Sequence, residues 1–83
     1  MTEPVTVAVI GKNQREEVRV VLDTFKGAQL IDMRVFTAFT SSNIMMPTKK
    51  GLSLRVETLP DLIDALTQAR DKAEAMGWIG GAA

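Results

Sequence analysis

The chain has 83 residues, enough for one domain, with a folded surface near ~4,900 Å² and burial on folding near ~63% by area scaling. It contains no cysteine and no histidine, which removes disulfides, thiolate and imidazole metal ligands, a cysteine nucleophile and the usual general base at neutral pH. Ten basic residues cancel ten acidic ones, which argues against coating duplex nucleic acid by charge alone.

The first apolar segment, residues 5–10, is β-branched and reads as a strand, halted by Gly11-Lys12-Asn13-Gln14, which has turn chemistry. Residues 16–25 alternate with period two: Val18, Val20 and Leu22 point one way, and Arg19, Val21, Asp23 and Phe25 the other. Lys26-Gly27-Ala28-Gln29 has the composition of a tight hairpin. Residues 30–39 alternate again, with Ile31, Met33, Val35 and Phe39 on an apolar face and Asp32, Arg34 and Phe36 on the other. Residues 40–43 form a polar loop. Ile44-Met45-Met46-Pro47 leads into Thr48-Lys49-Lys50-Gly51, and residues 52–56 make a last alternating strand.

The period then changes. Apolar positions 59, 62, 63, 66, 69, 73 and 76 form one stripe of an amphipathic helix. Thr58 is placed as its N-cap with Asp61 three residues on, Pro60 fits the first turn, and Gly77 suits the C′ position, with Trp78 placed to fold back on the last turn. The expected fold is a single α+β domain over residues 1–83. It consists of a four-stranded curved antiparallel sheet followed by one C-terminal amphipathic helix (β-β-β-β-α), with a short tail at 78–83.

The longest apolar run is Val7-Ala8-Val9-Ile10, far short of the ~18 residues of a membrane span. Met1-Thr2-Glu3-Pro4 carries an acid where a secretory leader carries bases. The expectation is a soluble intracellular protein with no membrane contact: cytoplasmic or nucleoid-associated in a prokaryote, nuclear in a eukaryote.

Catalytic readings are weak. Asp61, Asp64 and Asp71 share a helical stripe, which a solvated face explains without a metal. Gly11-Lys12 lacks the spacing and hydroxyl residue of a phosphate loop, and Ser41, Ser42 and Ser53 have no histidine to activate them. No enzyme activity, cofactor or metal is expected.

The charge distribution is more informative. Residues 1–56 carry eight bases against five acids, and residues 57–83 carry two against five, so the front half is the side a polyanion would meet. The mixed faces of the two long strands present Arg19, Phe25, Arg34 and Phe36, and the last strand adds Lys49 and Arg55. Cations interleaved with rings on an open sheet suit a single nucleic-acid strand, whose bases stack at ~1–3 kcal/mol each while a duplex hides its base faces. The alternative is that Phe25 and Phe36 pack under the helix or against a second copy. One helix covers only part of a four-stranded sheet, so Leu59, Leu62, Ile63, Leu66 and Met76 are expected at a homodimer interface. A twofold dimer would also hold two strand segments at once.

Taken in order, Arg15-Glu16-Glu17-Val18-Arg19-Val20, Phe25-Lys26-Gly27, Leu30-Ile31-Asp32-Met33-Arg34 and Pro47-Thr48-Lys49-Lys50-Gly51-Leu52-Ser53-Leu54 closely resemble the positive cofactor four family of transcriptional coactivators. The resemblance covers roughly residues 11–75. It implies a homodimer whose curved sheets bind single-stranded DNA with little sequence preference, in transcription or in DNA repair or replication. It also implies DNA contacts at Phe25, Lys26, Arg34, Phe36, Lys49 and Lys50, beside the Arg19 and Arg55 of the same face; RNA is a second candidate ligand. Thr37 stands where the family's human coactivator has a tryptophan, Ala28 and Met46 where it has lysines, and Glu16 and Glu17 replace positive or neutral character. Fewer rings and cations imply weaker binding and a shallower salt dependence. The competing expectation is a protein-interaction module that docks on transcription machinery with weak or no nucleic-acid binding, favoured by the zero net charge and the missing tryptophan.

Overall fold

The computed structural model describes residues 3–38 and 44–80. Four antiparallel strands lie in sequence order: β1 (Val5–Gly11), β2 (Glu16–Phe25), β3 (Ala28–Ala38) and β4 (Met45–Arg55). A single 3-10 turn, Val56–Thr58, leads into the helix α1 (Leu59–Ala75). This is the expected β-β-β-β-α order. The expected places of Phe39 on the apolar face of β3, and of the polar loop 40–43, lie outside the described residues.

The first two hairpins are set by local chemistry. Phe25 pairs with Ala28, so the β2–β3 loop is only Lys26-Gly27, with φ of 50° and 82°. Positive φ at both central residues is what a type I′ turn requires, and its twist matches that of the strands it joins. The loop is two residues shorter than the sequence reading, because Ala28 and Gln29 already belong to β3. At the β1–β2 turn, Asn13 Oδ1 accepts from the amides of Arg15 and Glu16, both at 2.9 Å. The Glu16 carboxylate in turn accepts from Lys12 Nζ at 2.8 Å and Asn13 Nδ2 at 2.9 Å. These two donors, Lys12 first, hold the Glu16 pKa below its ordinary value.

Register sorts the side chains. Val18 pairs with Val35, Val20 with Met33 and Leu22 with Ile31, while Ile31 and Met33 pair on their other side with Leu54 and Leu52. Val5, Ala8 and Ile10 of β1 join the same face opposite Leu22, Val20 and Val18. One side of the sheet is therefore almost wholly apolar.

Two sequence expectations are corrected. The last strand does not begin at Leu52: β4 starts at Met45 and runs through Pro47 and Gly51. Both residues look like strand breakers, but β4 is an edge strand, where proline is tolerated. A bulge absorbs the irregularity, since the register jumps from Arg34↔Gly51 to Phe36↔Pro47. Thr58 does not cap α1 either; its backbone is already helical, with φ −78° and ψ −13°, and its hydroxyl makes no cap hydrogen bond. The intervening 3-10 turn supplies the entry instead.

The far end of α1 ends as the sequence indicates. Gly77 has φ +77°, its amide donates to the Glu74 carbonyl at 3.0 Å, and the Trp78 amide donates to the Ala73 carbonyl at 2.8 Å. That pair of bonds is a Schellman closure. The Trp78 backbone folds back, but its ring stays 77% exposed.

Helix and sheet hardly form a second layer. α1 packs on the 3-10 turn, and the turn packs on β3. The chain exposes 6628 Å², roughly 1,700 Å² more than a compact monomer of this length. Its radius of gyration is 15.3 Å, against about 12 Å expected. Among the described residues only Ile31 counts as buried. The apolar sheet face and the helix stripe thus share no core within one chain.

Candidate nucleic-acid interface

On a strand, residues two apart share a face. Glu17, Arg19, Val21, Asp23 and Phe25 of β2 therefore stand together, facing Phe36, Arg34, Asp32, Leu30 and Ala28 of β3 in register. Arg55 joins them from β4, opposite Leu30. This is the mixed face expected from the alternation, on the side of the sheet opposite the apolar residues.

Its centre is a pair of arginines that are direct cross-strand neighbours, Arg19 and Arg34. Each is held by a carboxylate two residues earlier on its own strand. Arg19 Nε donates to Glu17 Oε2 at 2.5 Å, and the Arg19 guanidinium carbon lies 4.3 Å from the centroid of the Phe36 ring. Glu17 is the cross-strand partner of Phe36, so carboxylate, guanidinium and ring form one cluster. Arg34 donates through Nη2 to Asp32 Oδ1 at 2.9 Å, through Nε to Oδ2 at 3.2 Å, and through Nη1 to the Thr48 carbonyl at 3.1 Å. Ser53 adds a short hydrogen bond to Asp32 Oδ1. Partial burial works to raise the Asp32 pKa, but the Arg34 and Ser53 donors outweigh it and leave the carboxyl below its ordinary range. The hydrogen bond and charge of Asp32 raise Arg34 in turn.

The β4 bulge sits beside this pair. Thr48 Oγ1 donates to the Val35 carbonyl at 2.8 Å and accepts from the Lys50 amide at 3.2 Å. Gly51 is required here: a Cβ at that position would lie 2.3 Å from the Met33 carbonyl oxygen and 2.8 Å from the Arg34 Cα. The bulge carries Lys49 and Lys50, both exposed. At the hairpin tip Phe25 is 61% exposed, with Lys26 Nζ 5.4 Å from its ring centroid. Lys26 holds φ 50° without being glycine, a conformation that costs an ordinary L-residue about 1–2 kcal/mol.

The expected site residues therefore fall into three groups. Arg19, Arg34 and Phe36 meet at the centre, Phe25 and Lys26 form the tip, and Lys49 and Lys50 lie on the bulge, with Arg55 on the same face nearer the tip. Phe25 stands exposed, while Phe36 is partly covered with the Arg19 guanidinium over its ring. Among the described residues Lys49, Lys50 and Arg55 form no ion pair. On α1 and its C-cap, Ile63, Leu66 and Met76 are about half exposed at 58%, 57% and 48%, while Leu59 and Leu62 are partly covered. Reading the sequence for cations and rings missed Glu17, Asp32, Ser53 and Thr48, which hold the arginines. The signal was there: an acid two positions before an arginine on a strand shares its face. Among the described residues no group of acids is placed to hold a metal ion, and no helix is long and apolar enough to cross a membrane.

The family model described as Transcriptional Coactivator p15 (PC4) matches residues 12–65, which spans β2 to the first half of α1. A PC4 homologue from Burkholderia pseudomallei is similar in its tetragonal crystal form, with 25% identity and a TM-score of 0.73 over 82% of this chain and 98% of that one. Its orthorhombic form gives 24% identity and a TM-score of 0.74, over 84% and 93%. A bacteriophage T5 homologue of the eukaryotic coactivator PC4, implicated in recombination-dependent DNA replication, shares the fold at 22% identity and a TM-score of 0.69, over 96% and 91%. No curated protein sequence matches the chain.

Proposed function

The chain belongs to the Transcriptional Coactivator p15 (PC4) family and has a DNA-related function of that family; on that premise we propose that it binds single-stranded DNA, with little sequence preference, across the mixed face of its sheet. Bases stack on Phe25 and at Phe36. Phosphates are met by Lys26, Arg34, Lys49 and Lys50, with Arg19 and Arg55 adding positive charge. The observation that carries this reading is the exposed Phe25 ring, at 61%, on the same face as both arginines and the other ring. A phenyl group left in water at a hairpin tip has no packing role in its own chain, and it offers a base a flat apolar partner.

The working unit is a homodimer. Support comes from the roughly 1,700 Å² of surface beyond that of a compact monomer. Burial of that surface on each of two copies, about 3,400 Å² in total, falls in the range of obligate dimers. Ile63, Leu66 and Met76, together with the bare side of the sheet, are the surfaces that a partner copy covers.

Fluorescence polarisation with single-stranded DNA, single-stranded RNA and duplex at two salt concentrations tests the proposal. Single-stranded DNA is expected to bind tightest, and its affinity to fall with salt. Equal affinity for duplex, or no binding at low salt, would overturn it. The second result would point instead to a module that docks on transcription-machinery proteins.

A further inference from the structure

We propose that the base bound at Phe36 stacks on the guanidinium plane of Arg19, with Phe36 as the layer beneath and Glu17 as the residue that positions the plane. This rests on the single-strand reading above and assigns the middle of the site a recognition mode of its own. Three observations carry it. The Arg19 guanidinium lies 4.3 Å from the Phe36 centroid, so that face of the ring is already occupied and a base arriving from the same side meets the guanidinium first. The Nε edge of Arg19 is consumed by Glu17, and a phosphate seeking that edge would meet the carboxylate. The Arg19 side chain nevertheless keeps 30% of its surface exposed.

A guanidinium is planar and weakly hydrated on its faces, which makes it a stacking surface as well as a charge. Aromatic rings below and bases above are both attracted to it. Arg34, the cross-strand neighbour, is held in place by Asp32 and the Thr48 carbonyl, so the tier is walled on that side by a fixed group. Phosphate charge is left to Arg34 and to the lysines of the tip and the bulge.

The test uses fluorescein-labelled 20-nucleotide single strands, one of mixed sequence and one of the same length with abasic residues throughout. Arg19→Lys keeps the charge and loses the plane. It is expected to weaken binding ~10-fold on the base-bearing strand and to leave the abasic strand and the salt slope unchanged. Phe36→Leu, which keeps a branched apolar residue in β3, is expected to follow the same pattern. Glu17→Gln separates positioning from electrostatics: removing a negative charge alone would tighten both strands, whereas loss of orientation weakens the base-bearing strand and tightens only the abasic one. Wild-type affinity in Arg19→Lys, or equal losses on both strands, overturns the tier while leaving single-strand binding intact. Failure of the wild type to bind the base-bearing strand overturns both.

Discussion

The two faces of the sheet are finished to different degrees. On the mixed face the chain satisfies itself: Glu17 holds Arg19, Asp32 holds Arg34, Ser53 holds Asp32, and Thr48 ties the bulge to β3. On the opposite face Val18, Val20, Met33, Leu52 and their neighbours are aligned in register, yet α1 does not cover them. Polar groups must find hydrogen bonds wherever they lie, and short-range spacing on one strand provides them. Apolar groups need area, and one 17-residue helix attached through a 3-10 turn does not supply it. The difference teaches that the mixed face is completed within a single chain, whereas the apolar face is not.

The largest effect expected from breaking that comparison is on the apolar side. In the proposed dimer, changing Ile63 and Leu66 to glutamate removes about 1.5–3 kcal/mol of burial at each position; sedimentation is expected to show a monomer, and thermal melting a less stable one. A stable dimer with both substitutions would place the core elsewhere. Gly51→Ala comes next: the added methyl meets the Met33 carbonyl, so a loss of about 1–3 kcal/mol in denaturant unfolding is expected, along with disturbed pairing around Arg34.

Phe25→Ala sharpens the other side of the comparison. It is expected to weaken single-strand affinity by about 1–3 kcal/mol while the circular dichroism and melting temperature stay as in the wild type. Unfolding instead would mean that the ring packs rather than stacks. Lys26→Asn relieves the positive φ and is expected to stabilise the fold by about 1 kcal/mol. The same change would lower the salt slope of binding by about 0.7 if Lys26 contacts phosphate. The smallest effect is in pH. The Asp32 carboxyl is held below its ordinary value of 3.8, so its contribution is complete above about that pH and is lost as the pH falls through the lower folded value. Asp32→Asn is expected to flatten the acid side of the stability curve below pH ~4 and to leave its shape near neutrality unchanged.

Much of this arrangement is legible in the residues. Period-two alternation in β2 and β3 separates Arg19, Phe25, Arg34 and Phe36 from Val18, Val20, Ile31 and Met33, and the register keeps that separation. The helical stripe and Gly77 locate α1 and its end. Less legible was β4, because Pro47 and Gly51 read locally as breakers, whereas an edge position and a bulge accommodate both. Thr58 as a cap failed for a similar reason: the preference for threonine at a helix start is real, but a 3-10 turn already occupied that place.

The sequence by itself determined which residues share a face, where the chain turns and where the helix ends, since alternation, positive-φ turn chemistry and C-capping depend on neighbours within a few positions. Tertiary structure alone decided that Arg19 lies over Phe36, that a bulge sets Gly51 and the Thr48 carbonyl against Arg34, and that α1 leaves the apolar face bare. Those outcomes depend on strand register and on the direction in which one short turn sends the helix. Both are set by the balance of many weak contacts, and no local preference encodes them.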